Sequence, residues 1–229
     1  MDPVLLLFDI DGTLIEGGGS GRLAMERAFA AVAGVEGSGE GVPTAGRTDT
    51  AIFADMARRA GVPTDEATLR AVRARYLEGL PAALAQRGAR LLPGVRRLLE
   101  MLAADGRCAL ALGTGNLEAG ALIKLRHHGI ASFFPTGGFG DQGTDRAALL
   151  GDALRRARAH YGVPFPAPET LVIGDAPADV EAARANGMGV LAVATGRTPV
   201  ATLADLHPDA LVPDLSQTER VLGWLLGGR

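Results

Sequence analysis

The sequence predicts an α/β fold: a parallel sheet with helices on both faces, and a wholly helical block inserted after the first strand. Three observations predict it. Val4-Leu5-Leu6-Leu7-Phe8 is an unbroken apolar run of strand length, as a strand buried on both faces requires. Residues 15–90 carry helical patterning and no convincing strand. Beyond them, short apolar runs alternate with helical stretches, the pattern of a parallel sheet with crossover helices.

Taken in order, the first strand runs into Asp9-Ile10-Asp11-Gly12 and then into Glu16-Gly17-Gly18-Gly19-Ser20-Gly21. The glycines suggest a phosphate loop, but that loop needs Lys followed by Ser or Thr after its last Gly. Here Arg22-Leu23 follow, so a hinge is expected. Residues 20–32 suit an amphipathic helix with Ser20 as its cap, and 35–47 read as Gly-rich loop. Further helices are expected from near Thr48 to before Gly61, and from near Thr64 to Arg87, with Asp65 and Glu66 in the first turn of the latter. The alternating part then predicts helices at 93–104, 117–128, 144–161, 178–186 and 216–226. Strands are expected at 108–112, 133–139, 171–173, 190–193 and, on an edge, 210–212. Domain bounds follow: a core from 1–14 and 91–229, and a helical cap from 15–90.

Composition narrows the function. Formal net charge is -3, from 23 basic and 26 acidic residues, which leaves no electrostatic footprint for nucleic acid or an anionic membrane. Aromatics make up only 4%, too few for a base-stacking surface. Cys108, the only cysteine, cannot form an internal disulfide; it reads as a buried structural thiol and fits a reducing compartment. The N-terminal apolar run lacks a basic flank and is too short to span a bilayer. A cytoplasmic location is expected, with monomer and homodimer both left open.

The chemistry gathers where strands end, since ligands of open parallel sheets bind beyond the carboxyl ends of the strands. Asp9 and Asp11 project the same way in extended chain. Two close carboxylates repel one another, so the pair makes sense around a cation or with one member protonated. A calcium loop fails, because its sixth and twelfth positions would be Leu14 and Ser20 rather than Gly and Glu. Three later runs also end in polar residues: Gly113-Thr114-Gly115-Asn116, Gly174-Asp175 with Asp179 one turn on, and Thr144-Asp145-Arg146. Together they supply hard oxygen ligands that suit Mg²⁺.

These motifs resemble the haloacid dehalogenase superfamily, in its phosphoglycolate-phosphatase-like branch. Asp9-Ile10-Asp11-Gly12-Thr13 matches the first motif, Thr114 the second, and Gly174-Asp175-Ala176-Pro177-Ala178-Asp179 the fourth. The resemblance spans the chain and implies a Rossmann-like core, a Mg²⁺ cofactor and hydrolysis of a small phosphorylated metabolite through an aspartyl-phosphate. It implies that Asp9 is the nucleophile and that Asp11 moves the proton. Asp175, Asp9 and the Asp11 carbonyl would hold the metal, with Asp179 a further ligand or an orienting group. Thr114, with Gly115 and the Asn116 amide, would bond the phosphoryl oxygens. An acid at position 11 favours phosphoesters over halides, because halide departs without a proton.

The third motif departs from the family pattern, which has a Lys there. The chain's single lysine, Lys124, stands mid-helix and is expected on a solvated face; Arg146, at a helix start, is expected to substitute. Arg47-Thr48-Asp49 reads equally as a substrate contact through Arg47 and as a polar helix start capped by Thr48. Gly138-Phe139-Gly140-Asp141-Gln142-Gly143 matches G-x-G-x-x-G, but its strand is broken by Pro135 and no acid follows near twenty residues on, so it reads as loop. His127-His128 read as a helix C-terminal pair rather than metal ligands. Two alternatives to a phosphatase stand: a phosphosugar mutase using the same aspartyl-phosphate, and a non-catalytic binding protein of the same fold.

Overall fold

A computed structural model describes residues 3–141, 143 and 145–227. It contains a six-stranded, wholly parallel sheet built from β1 (Val4–Phe8), β4 (Cys108–Gly113), β5 (Gly137–Gly138), β6 (Leu171–Gly174), β7 (Gly189–Val193) and β8 (Ala210–Val212). Their order is β5-β4-β1-β6-β7-β8. β1 therefore lies in the interior, between β4 and β6, with Phe8 level with Leu112 and Ile173. That register puts the residues following all three strands at one edge.

The sheet divides two cores by the period-two alternation of a strand. Leu6 and Phe8 face one side and join α4 (Val95–Asp105), α5 (Glu118–His127) and α9 (Thr218–Leu226). Leu5 and Leu7 face the other and join α6 (Arg146–Tyr161) and α7 (Pro177–Ala185). A third apolar cluster is built by α1 (Ser20–Ala33), α2 (Asp49–Arg59) and α3 (Glu66–Arg87), with Phe29, Phe53 and Tyr76 fully buried at its centre. Leu117, at the start of α5, joins this cluster, so the helical block rests on the second-motif loop.

The 15–90 block is bounded by a ribbon the sequence did not suggest. β2 (Ile15–Glu16) pairs antiparallel with β3 (Arg90–Leu91), Ile15 opposite Leu91. At two residues a strand is too short to leave a periodicity. The two crossings into and out of the helices are thus tied side by side, with Gly17-Gly18-Gly19 immediately beyond and Gly18 and Gly19 at φ 58° and 82°.

Other boundaries shift for local reasons. Ser20 is not the cap of α1: Gly19 holds the cap position in left-handed conformation, and the Ser20 hydroxyl is buried without a partner. Thr48 caps α2 by accepting from Ala51 N–H at 3.2 Å, and Asp65 caps α3 in the same way through Thr68 N–H at 2.9 Å. Such caps contribute about 1 kcal/mol each. The expected strand at 133–139 is instead a 3₁₀ turn over Ala131–Phe133 followed by the two-residue β5. The six-residue α8 (Val200–Asp205) was not foreseen. Asp145 caps α6 by accepting from Ala147 N–H at 2.9 Å; Thr144, where the expected helix began, and Gln142 lie outside the described residues. No helix among the described residues is long and apolar enough to cross a membrane. Cys108 is partly buried, its thiol directed at the Leu102 carbonyl, and burial pushes it up to about 11, so it behaves as a structural thiol.

Candidate active site

Residues following β1, β4 and β6 converge with the start of α6 on a cleft of about 330 Å³, whose opposite wall comes from the helical block. Asp9, the first residue beyond β1, continues the ladder by donating its N–H to Ile173 C=O at 2.9 Å. Its carboxylate is buried together with those of Asp175 and Asp179, the three offering oxygens within 4.8 Å of one another.

One cation answers these three acids directly. Arg146, at the first position of α6, is only 7% exposed. Its Nη2 lies 3.1 Å from Asp9 Oδ1 and 2.5 Å from Asp179 Oδ1, and its Nε donates to Asp179 Oδ1 at 2.8 Å. The expected substitute for the motif lysine therefore sits against the expected nucleophile. Burial raises Asp9 to about 6 against the opposing Arg146 charge, with Asp179 and Asp11 adding to the rise. Burial, then Asp9 and Asp179, push Asp175 up to about 8. The cluster is short of positive charge, which a divalent cation would supply.

Asp175 is held in a cradle that leaves room for little else. Thr13 Oγ1 donates to its Oδ1 at 3.0 Å. A Cβ on either Gly12 or Gly196 would collide with its carboxylate, and Gly12 also has φ 88°. Thr195 Oγ1 bridges the two glycine loops by donating to Gly12 C=O at 2.6 Å. Asp179 is less open: Arg146 takes Oδ1, and Oδ2 accepts Ala176 N–H at 3.0 Å, capping α7. Both oxygens are engaged, which fits an orienting group better than a direct ligand.

Asp11 goes elsewhere. Its carboxylate stands outside the acid cluster, and its Oδ2 accepts from Asn116 Nδ2 at 2.8 Å and from Lys124 Nζ at 2.5 Å. The expectation of a solvated Lys124 is thus overturned. Lys124 is 3% exposed, on the same inward face of α5 as Gly120, Ala121 and Leu125. Burial would lower its pKa, but the charges of Asp11 and Asp49 outweigh that and hold it raised. Spacing carried the signal: a lysine in the apolar stripe of a helix cannot also be on its wet face.

The second-motif loop is packed from both sides. Thr114 is fully buried, its Oγ1 accepting from Asn116 Nδ2 at 3.2 Å, so it stands behind Asn116 rather than on the cleft wall. Gly115 C=O accepts Asp49 N–H at 2.7 Å, and a Cβ on Gly115 would strike the Arg47 carbonyl. Gly140, of the G-x-G-x-x-G stretch, meets the Gly115 carbonyl just as tightly, and its own carbonyl accepts from Thr50 Oγ1 at 2.6 Å. Close packing, not a dinucleotide, explains Gly138 and Gly140, whereas a Cβ on Gly143 would meet nothing. Asp49, read only as part of a helix start, is buried with Oδ2 accepting Leu117 N–H at 2.9 Å, and burial pushes it up to about 6.

Arg47 lines the cleft, but its guanidinium pairs with Asp55 at 2.7 Å, and Thr48 beside it caps α2. Arg22 is bound to the Gly39 and Val42 carbonyls. Arg197, also on the cleft wall, has no ion-pair partner among the described residues; sequence reasoning passed over it because its loop carries no motif.

Comparison with known proteins agrees with this arrangement. The model of the haloacid dehalogenase-like hydrolases matches residues 4–187. The chain is 28% identical to phosphoglycolate phosphatase of Pseudomonas syringae pv. tomato, over 93% of this chain and 77% of that protein. Among solved structures, CbbY from Rhodobacter sphaeroides in complex with phosphate shares the fold at TM-score 0.72 and 19% identity, covering 94% of this chain and 96% of that one. A predicted phosphoglycolate phosphatase from Haemophilus somnus does so at TM-score 0.70 and 19% identity, over 97% and 99%. With both the family match and the buried Asp9–Asp175–Asp179 cluster in place, this chain belongs to the haloacid dehalogenase-like hydrolases.

Proposed function

We propose that the chain is a Mg²⁺-dependent phosphatase that hydrolyses a small phosphomonoester through an aspartyl-phosphate on Asp9. The observation that carries this reading is the separation of two carboxylates at one strand end. Asp9 is buried against Arg146 and two further acids, whereas Asp11 is held apart on Asn116 and Lys124. On this reading Asp9 attacks and Asp11 moves the proton, and their separation supports two roles that do not interfere.

Asp9, Asp175 and the Asp11 carbonyl would hold the metal, with Asp179 orienting Arg146 beside it. The donor set is hard oxygen in a charge-poor pocket, which suits Mg²⁺. When bound, the metal neutralises charge between the anionic nucleophile and the anionic phosphate. Arg146 supplies a fixed positive charge at the same point, so the substitution for the motif lysine keeps the electrostatics and argues against a non-catalytic chain. Gly115 and Asn116 line the cleft where phosphoryl oxygens would be bonded, with Thr114 supporting Asn116.

Residues 15–90 act in this reading as a cap, hinged at Gly17-Gly18-Gly19 and the β2–β3 ribbon, that excludes water during transfer. A cleft of about 330 Å³ fits a small metabolite. Arg197 and Arg47 on its walls would favour an ester with a further anionic group, as in the relative's phosphoglycolate. The test is phosphate release from a panel of phosphomonoesters with Mg²⁺ or with EDTA. Turnover that needs the metal and disappears in Asp9→Asn supports the reading; no turnover of any ester by folded, Mg²⁺-binding protein refutes it.

A further inference from the structure

Lys124 lies outside the motifs that define the reaction, yet it is buried and makes its ion pair with Asp11. A lysine confined to a protein interior needs a partner. Here the partner is shared, because Asn116 Nδ2 donates to the same atom, Oδ2. Both donors meet one oxygen, and Asp11 Oδ1 receives neither. The Asp11 side chain is 44% exposed and lines the cleft, which leaves Oδ1 as the oxygen open to it.

We propose that Lys124 is a positioning residue for proton transfer, saturating Asp11 Oδ2 together with Asn116 so that Oδ1 alone carries and delivers the proton. The proposal rests on the phosphatase reading above. In the first half-reaction Asp9 forms a bond to phosphorus, the bond to the ester oxygen breaks, and that oxygen takes the proton from Asp11 Oδ1. In the second, water attacks the aspartyl-phosphate and gives its proton back to Oδ1. A carboxyl free to rotate would present either oxygen to the leaving group; one clamped at Oδ2 presents the same oxygen in both steps. The clamp also reaches the helical block. Asp49, the second carboxylate acting on the Lys124 ammonium, is fixed by its contacts with Gly115 and Leu117.

The decisive measurement compares two esters in wild type, Lys124→Met and Lys124→Arg with Mg²⁺ present. One is the best alkyl phosphate of the panel, whose leaving oxygen needs a proton; the other is 2,4-dinitrophenyl phosphate, whose phenolate leaves without one. Lys124→Met is expected to lower kcat/KM, which reports only the steps through formation of the aspartyl-phosphate, about 10- to 100-fold on the alkyl ester, the usual size for loss of an orienting group. On the dinitrophenyl ester it should change kcat/KM less than about threefold, within the loss expected when general acid help is not needed. Lys124→Arg, which retains a donor, should recover part of the alkyl rate. Turnover of the activated ester by Lys124→Met also reports that the variant folds. Equal losses on both esters, or none on either, would overturn the positioning role. Wild-type protein that cleaves neither ester would overturn the phosphatase reading, and this role with it.

Discussion

Replacing Arg146 by Met removes a buried charge while keeping a side chain of similar length, and the structure fixes what this costs. Arg146 is the cation in direct contact with Asp9 and Asp179. At the 3.1 Å separation from Asp9, one pair in an effective dielectric near 20 has a gross attraction of about 5 kcal/mol. Desolvation of the guanidinium offsets part of it, and breaking a buried pair costs about 3–5 kcal/mol. For a chain of this size each kcal/mol moves Tm by about 2–4 °C, so Tm should fall by about 6–20 °C at pH 7.5 in EDTA. The sign of the pH effect is determined as well. Asp9 is raised to about 6 in the fold, so it is mostly neutral at pH 5, and the contribution of Arg146 through Asp9 fades below that value. The loss should therefore be smaller at pH 5 than at pH 7.5. Melting followed by circular dichroism at the two pH values tests this. A fall under about 3 °C at pH 7.5, or one no smaller at pH 5, would refute the claim that Arg146 compensates the acid cluster.

Three further outcomes are expected. Saturating Mg²⁺ should stabilise the wild type: at a hundred times Kd the gain is about 2.7 kcal/mol, or roughly 5–11 °C in Tm, and calorimetry showing no rise would count against the metal site. Gly196→Ala pushes a Cβ into the Asp175 carboxylate, so the Mg²⁺ concentration for half-maximal activity should rise about tenfold or more, as when a ligand's support is disturbed. Arg197→Ala should raise KM for a substrate with a second anionic group about tenfold, the loss of one charged hydrogen bond, while kcat stays near wild type; steady-state kinetics separates the two.

Much of the architecture was legible because it rests on local patterns. The apolar run before Asp9 could only be an interior strand, and the polar ends of β4 and β6 marked the same sheet edge. Thr48 announced its helix by the hydrogen bond its side chain makes, and Asp65, expected inside the first turn, marked the same helix start but proves to be its cap. Features without periodicity were not legible: the two-residue β2 and β3, the glycine cap of α1, and β5 reduced to Gly137-Gly138.

At the site, the sequence by itself determined which residue types stand at which strand ends: Asp9, Asp11, Asn116, Asp175, and Arg146 where a lysine was expected. It did so because strand termini and helix starts are local events, and a parallel sheet brings them to one edge. Tertiary structure alone decided how those groups pair. Asp9 and Asp11 are two residues apart, yet one turns to Arg146 and the other to Lys124, because α6 and α5 approach from different sides of the sheet. Lys124 is 113 residues from its partner. No pattern within one helix could show which carboxylate it would meet; that depended on how α5 packs between the sheet and the helical block.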